Sequence, residues 1–550
     1  MSALPTHSPD TAALQRLPAR AVLVIVGAVI LLPVLAVLAT WTQWDDRSAA
    51  ILRAMFETVL PDYAGTSLVL CLMVMVGVAV VGGASAAAVT LFDFSGRRFF
   101  EWALLLPLAM PAYVVAYAYT DFLQFSGPLQ TALRESFGWR GRVFPEVRNV
   151  FGAAWVFVFT LYPYVYLLAR TALTERAAHL MEAARMLGAP LVRRVTAVAL
   201  PLARPALAAG IALALMETLA DFGVSSYFGI QTFTAGIYKA WLVMDDRLAA
   251  AQLATSLLVV VGLLLWLEQR AQRRMRFTGS RSGRRPAQEA RAVMLHGRAA
   301  WLAWAVCAVP VLAGFALPLL FMLRPLWAAT DPLPWAAFGG WALNSLGLAL
   351  AGALLAVLLA LTLAWHRRRS DDGLTRTVFQ LASLGYAIPG AVVVVGLLLP
   401  VGWLQQTAPQ LQAGYWVTAT VLGLLWAYLV RFGAVALQTV QSGYARIPAS
   451  FDDSARMLGS SGLSLWWRVH WPLLQRTTAA AALLVFVDVM KELPATLVLR
   501  PFNTDTLAVM AYQLARDERL GEAALPALAL VAVGLVPVML LSRTIRRSDA

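Results

Sequence analysis

The sequence predicts an all-α polytopic membrane protein of about twelve transmembrane helices, arranged as two tandem six-helix halves. Composition is the first observation behind this: of 550 residues 60% are hydrophobic and only 13% charged, whereas soluble domains run nearer half apolar and a quarter charged. Length is the second. The apolar residues fall in stretches of about 20, which is what a helix rising 1.5 Å per residue needs to cross about 30 Å of hydrocarbon. The third is a motif that recurs once in each half. A soluble globular enzyme is excluded by the first two.

Taken in order, the spans read as 21–40, 67–92, 102–119, 150–169, 199–221, 252–268, 299–323, 343–365, 378–399, 415–437, 474–490 and 525–541. The first is a retained helix, because Arg16 and Arg20 precede an apolar run from Ala21 to Ala39, longer than the core of a cleaved signal. The net charge of +14 rests on 42 Arg and 2 Lys, placed mostly in short loops rather than on one face. With the N-terminus inside, the even loops and both tails, counting Arg476 at the mouth of the eleventh span, hold 29 of the 44 and the odd loops hold 13. That asymmetry follows the positive-inside rule and puts both termini in the cytoplasm. Membrane orientation, not nucleic acid, accounts for the charge. Cys71 and Cys307 lie inside spans of opposite halves, so they read as packing residues rather than a disulfide or a zinc site.

The organisation expected is an N-terminal half 1–270 with a cytoplasmic loop at 171–201, a basic cytoplasmic linker at 271–298, and a C-terminal half 299–550 with a loop at 441–472. The linker carries Arg273, Arg274, Arg276, Arg281, Arg284 and Arg285 among Gly, Ser and Pro, a solvated connection held inside by its charge.

The loops hold the repeat. Glu182-Ala183-Ala184-Arg185-Met186-Leu187-Gly188 matches Asp453-Ser454-Ala455-Arg456-Met457-Leu458-Gly459 at an offset of 271, five of seven being identical and the first pair keeping a carboxylate. The register runs without a gap to Pro201 and Pro472. A generic amphipathic surface helix has no reason to repeat its acid, its Ala, its Arg and its Gly. An acid and small residues suit the first turns of a short helix that another surface approaches closely, and Gly188 and Gly459 permit a left-handed stop. Six crossings per half make the duplication parallel.

Glu182-Ala183-Ala184, then Gly188, then Leu200-Pro201 resembles the cytoplasmic motif of permease subunits in binding-protein-dependent ABC importers. The second copy departs from it with Asp453, Ser454 and Trp471, which keep charge and smallness. The resemblance implies a type I importer permease fold. It also implies that Glu182, Ala183, Ala184, Gly188, Asp453, Ser454, Ala455 and Gly459 belong to coupling helices docking on a separate ATPase. Two copies in one chain imply a fused permease that engages two ATPase copies. The chain holds no Gly-x-x-x-x-Gly-Lys-Ser/Thr, so it is read as a non-enzyme without a cofactor of its own, ATP and Mg being bound by the partner. The stretches Met216–Gly223, Tyr227–Gly229, Gln231–Tyr238, Met490–Thr496, Leu499–Phe502 and Asp505–Ala508 are similar to the fused ferric-iron permeases. A bacterial inner-membrane location and a periplasmic binding protein follow from that likeness. Thiamine, polyamine and phosphonate permeases share the scaffold. The long outer loops 120–149 and 222–251 are the candidates for touching the binding protein.

At the same offset Glu217 pairs with Asp488 and Asp221 with Glu492, which predicts two carboxylates on one face of the fifth helix in each half. Counted from Pro201, Glu217 falls roughly 24 Å along the helix, in the outer part of the membrane. Carboxylates there need a watery path or a partner. They suggest a ring around the outer pathway; a gate bridged to Lys491 or Arg500, or caps on helix ends, weigh equally. All five histidines fall in cytoplasmic segments, leaving oxygen donors such as these acids, Tyr227 and Tyr238 outside, which suits a hard cation or a cationic organic cargo. A secondary transporter and a membrane-embedded enzyme are the other classes in play, but the strongest motif is a docking loop, the acids are displaced from the midplane, and the sequence shows no metal-ligand cluster, H-E-x-x-H or nucleophile constellation.

Overall fold

The computed structural model describes residues 9–42, 46–174, 178–279, 293–328, 333–370 and 372–548. It is α-helical apart from a two-residue parallel pairing of Phe92–Asp93 with Val293–Met294. The chain opens with α1 (Pro9–Ala39), α2 (Asp46–Thr58), α3 (Leu60–Leu91) and α4 (Arg97–Ala103). Next come α5 (Ala112–Leu123), α6 (Pro128–Phe137), α7 (Val150–Ala172), α8 (Ala178–Met186) and α9 (Leu191–Arg194). The first half closes with α10 (Leu200–Ala220), α11 (Gly223–Phe228), α12 (Phe233–Tyr238) and α13 (Arg247–Gly279). The second half begins with α14 (Arg298–Val311), α15 (Leu317–Ala328), α16 (Trp335–Arg369), α17 (Gly373–Ala382) and α18 (Gly390–Thr407). There follow α19 (Leu422–Tyr444), α20 (Ala449–Met457), α21 (Gly462–Leu465), α22 (Trp471–Lys491), α23 (Pro494–Leu499), α24 (Leu507–Arg516) and α25 (Leu520–Ser548).

Among the described residues 11 helices are long and apolar enough to cross a membrane, and Arg97–Ala109 with Ala112–Phe137, bent by 90°, makes a twelfth if the pair is one broken span. Two of the expected spans are broken at a proline. The third is not one straight helix over 102–119 but breaks before Pro111. The ninth, expected over 378–399, breaks before Pro389, so that α18 supplies its membrane-length piece. The residue before proline is pushed out of the helical region, and Met110 (ψ 122°) and Ile388 (ψ 117°) are extended. The basic end of the sixth span also departs from expectation, since α13 stays helical to Gly279. Its Ala, Gln, Arg and Met favour helix. The rest of the expected linker, 280–292, lies outside the described residues.

The duplication is visible in the backbone. Helices run over Leu191–Ala220 and Gly462–Lys491, each interrupted by a π turn, Val195–Ala199 and Trp466–His470. Every one of these boundaries is displaced by 271 residues.

Contacts sort the chain into two compact units, Met1–Trp44 with Leu343–Asp505, and Asp45–Ala342 with Thr506–Ala550. The units thus do not coincide with the tandem halves 1–270 and 299–550, which are a property of the sequence. In the first unit α19 packs along α22, and α1 lies against α17 and α18; the Trp426 indole donates to the Val29 carbonyl at 2.7 Å. In the second, α7 packs against both α3 and α10. Gly82 and Gly210 make this possible, because a Cβ at either would sit within 2.8 Å of the α7 backbone, and small residues are what lets membrane helices approach so closely.

Candidate functional site

Each repeat copy is a short helix with the same stop. In α8 the last turn closes with Gly188 N donating to the Arg185 carbonyl at 2.9 Å and Ala189 N to the Ala184 carbonyl at 3.0 Å. In α20 Gly459 N donates to Arg456 at 3.0 Å and Ser460 N to Ala455 at 2.9 Å. This double closure requires a left-handed residue just past the helix, and Gly188 (φ +78°) and Gly459 (φ +81°) supply it. The result is a tip on which the apolar pair before each glycine is thrust outward: Met186 and Leu187 are 82% and 88% exposed, Met457 and Leu458 89% and 86%. Large apolar side chains exposed to this degree as a contiguous pair mark a contact surface.

The rest of the motif flanks the tip. Glu182 and Ala184 are half-buried and Ala183 is exposed. In the second copy Asp453 and Ser454 are exposed and Ala455 is buried, with Asp453 lying 3.7 Å from Arg456 across one turn. A helix 9 residues long in each copy thus presents an acid and two apolar residues beside small side chains.

The four acids expected along the pathway or its gate are arranged differently from the expected pairs. Glu217 is half-buried in the last turn of α10 and Asp488 in the last turn of α22, but these helices end at Ala220 and Lys491. Asp221 and Glu492 follow on extended backbone (ψ 134° and 121°), so neither shares a helix face with the acid four residues before it. The reason is local: each carboxylate turns to satisfy the open N–H groups of the next short helix, a competition acidic side chains win at helix starts. Asp221 Oδ1 accepts from Val224 N at 2.9 Å and Ser225 N at 3.3 Å. Glu492 accepts from Ala495 N and Thr496 N, both at 2.9 Å.

Glu492 is also the anchor of a buried network. Its Oε1 accepts from Arg431 at 3.0 Å, its Oε2 from the Thr496 hydroxyl at 2.6 Å, and that hydroxyl lies 2.7 Å from the Tyr428 hydroxyl. Gly390, at the start of α18, leaves room for it, since a Cβ there would meet Glu492 Oε1 at 3.2 Å and Arg431 Nη1 at 3.3 Å. Lys491 points to Asp488 at 3.8 Å, and Arg500 pairs with Asp505. Lys491 is therefore paired within its own helix. Glu217 and Asp221 belong to one compact unit and Asp488, Lys491 and Glu492 to the other.

Arg431 and Tyr428 are functional candidates that spacing did not reveal, although an arginine inside an apolar span was itself a signal that a buried carboxylate must face it. Of the tyrosines expected as oxygen donors, Tyr227 is buried with its hydroxyl accepting from Arg148 at 3.3 Å and its ring 4.5 Å from Tyr117. Tyr238 is buried with its ring 4.3 Å from that of Phe222. In the segment 120–149, expected as an outer loop, Phe137 and Trp139 are exposed and stacked at 5.0 Å.

Comparison with known proteins completes the picture. Residues 79–277, which include the first repeat copy and α10 to α12, match the family described as the binding-protein-dependent transport system inner membrane component. An Fe(3+)-transport system permease protein of Haemophilus influenzae is 24% identical over 95% of this chain and 97% of its own length. The molybdenum transport system permease protein of the same organism is 27% identical over 33% of this chain and 82% of its length. A Salmonella typhimurium protein assigned to 2-aminoethylphosphonate transport is 30% identical over 25% of this chain and 50% of its length. Matched along its whole length by one permease and over its parts by shorter ones, the chain is a multi-pass permease subunit of a binding-protein-dependent transporter, with two tandem halves in one polypeptide.

Proposed function

We propose that this chain forms the translocation pathway of an inner-membrane ABC importer for ferric iron, delivered by a periplasmic binding protein and driven by two copies of a separate ATPase. The observation that carries the docking part is the repeated tip, Met186-Leu187-Gly188 and Met457-Leu458-Gly459, with the same left-handed closure and the same exposed apolar pair in both copies. Two such tips provide two docking points with the same backbone. ATP and Mg are held by the ATPase chains. The loop-charge asymmetry supports both termini and both tips facing the cytoplasm, which leaves 120–149 and 222–251 to meet the binding protein.

The iron part is supported by the relative that shares the whole two-half length of this chain and by an outer side whose donors are oxygens. Phosphonate is the second reading, favoured by the shorter match to the Salmonella protein; thiamine and polyamine cargos fit the same scaffold. Reconstitution with the ATPase and binding protein decides between them. ATP-dependent accumulation of ferric iron, and not of 2-aminoethylphosphonate, is the expected result; accumulation without ATP under an ion gradient would make the chain a secondary transporter instead.

A further inference from the structure

The two coupling loops share a backbone but not a seat. At the offset of 271, Met181 corresponds to Asp452 and Ala199 to His470, and all four are buried. In the first copy the inner face of α8 therefore rests on an apolar side chain, and the π turn that follows ends in a methyl group. The second copy puts a carboxylate and an imidazole at those two places. Asp452 Oδ2 accepts from Arg368 Nε at 2.9 Å, and His470 Nε2 lies 3.2 Å from Asp452 Oδ1. Arg368 is in the last turn of α16, and His470 is the residue on which α22 begins. His470 is packed between the Trp365 and Tyr444 rings, at 5.0 and 5.5 Å, so it has little freedom to follow the carboxylate elsewhere.

The carboxylate thus bonds the short helix α20 to the end of α16 and stands beside the imidazole at the start of α22, and α22 leads directly to Lys491 and to the Arg431–Glu492 pair beyond it. Sliding α8 over Met181 trades one set of weak dispersion contacts for another. Sliding α20 would separate the enclosed Asp452 carboxylate from the half-buried Arg368 guanidinium, which is opposed because the carboxylate would lose its counter-charge.

We propose that Asp452 is a positioning residue that makes α20 the stiff member of the pair, so that displacement of the second docking tip is passed to α16 and α22 through Asp452, Arg368 and His470, while the first tip transmits through a compliant seat. The inference rests on the reading that α8 and α20 dock the ATPase, and it makes the two docking points unequal in function although equal in backbone.

The test uses the reconstituted complex of the full chain with its ATPase and binding protein, reading bound ATPase, ATP hydrolysis and iron accumulated per ATP. In Asp452→Asn the ATPase stays bound and hydrolysis continues, while iron accumulated per ATP falls at least about fivefold, the lower end of usual coupling energies; Met181→Ala, at the matching place, changes it less than twofold. A merely structural role is separated by the triple variant Asp452→Met, Arg368→Met, His470→Ala, which gives α20 an apolar seat, an exchange buried ion clusters often tolerate. Its thermal stability and bound ATPase are expected to match wild type while the ratio stays low. A wild-type ratio in the triple variant would overturn the proposal. Loss of bound ATPase in it would do so too, because the cluster would then serve docking and not transmission. Failure of the docking reading shows separately, as undiminished ATPase binding and uptake in Gly188→Asp and Gly459→Asp.

Discussion

Replacing Glu492 by Gln removes the negative charge from the most completely enclosed of the four acids and leaves almost everything else in place. The side chain is 1% exposed and engages Arg431, two backbone N–H groups and a hydroxyl. Glutamine keeps one acceptor oxygen, which in the place of Oε1 still meets Arg431 and the Ala495 N–H, but its amide nitrogen then faces the Thr496 N–H and no negative charge is left for the guanidinium. Loss of a capping interaction costs about 1 kcal/mol, and stranding a buried charge by removing its partner about 3–5 kcal/mol; the second term dominates. For a cooperative body of about 200 residues, 1 kcal/mol moves the melting midpoint by about 2–4 °C, so a fall of about 10 °C is expected. The assay is thermal unfolding of the purified protein in lipid nanodiscs, followed by tryptophan fluorescence. The double variant Glu492→Gln, Arg431→Met should recover most of the loss, since an uncharged pair of similar volume has no stranded charge. A single variant that melts within a degree of wild type would refute the reasoning, as would a double variant that melts no higher than the single. The same samples report on gating: if the pair holds the resting state, Glu492→Gln raises ATP hydrolysis in the absence of the binding protein, and unchanged hydrolysis confines the pair to a structural part.

Gly188→Asp and Gly459→Asp should insert normally but lose ATPase binding and uptake, because a side chain in the left-handed region costs about 1–2 kcal/mol and an acid beside the exposed Met-Leu pair opposes apolar docking; normal co-purification and uptake in both would remove the assignment. Glu217→Gln combined with Asp488→Asn should lower iron uptake more than either alone while leaving bound ATPase unchanged, since a multivalent cation responds to summed charge, and wild-type uptake in the double variant would leave the iron reading without electrostatic support. A cysteine at Ser280 should react only with cytoplasmic reagent and one at Thr407 only with external reagent; labelling of Ser280→Cys in intact cells would reverse the orientation.

Features that depend on neighbours in the chain were legible. Span length, the basic loops and the glycine stop are each written within about 20 consecutive residues, and the offset of 271 carried Gly188 onto Gly459 because the two loops must make the same turn with the same φ. The proline breaks were legible in principle, for Pro111 and Pro389 both stand inside apolar runs, but hydropathy averages over them and sees one span. What spacing misread was the pairing of Glu217 with Asp221 and of Asp488 with Glu492. An i, i+4 face exists only while the helix continues, and each second acid ended its helix by turning to cap the next one.

Partners distant in sequence were not legible at all. Arg431 and Glu492 are 61 residues apart and Arg368 and Asp452 are 84 apart, so no periodicity relates them. A charge inside an apolar run announces that a partner exists, because burying it alone is too costly, yet it does not say which of the remaining charges is brought to it. The repeat adds a second reason. Aligning Met181 with Asp452 and Ala199 with His470 makes the second copy look like a drifted version of the first, and a search for shared residues discards those columns as noise. Packing reverses that judgement: two differences between the copies, both ionisable in the second, buried, and 3.2 Å apart, have to be read together with Arg368 as one unit. A duplication preserves the backbone that both copies need. The polar groups that only one copy carries are therefore where the two halves are free to divide their work.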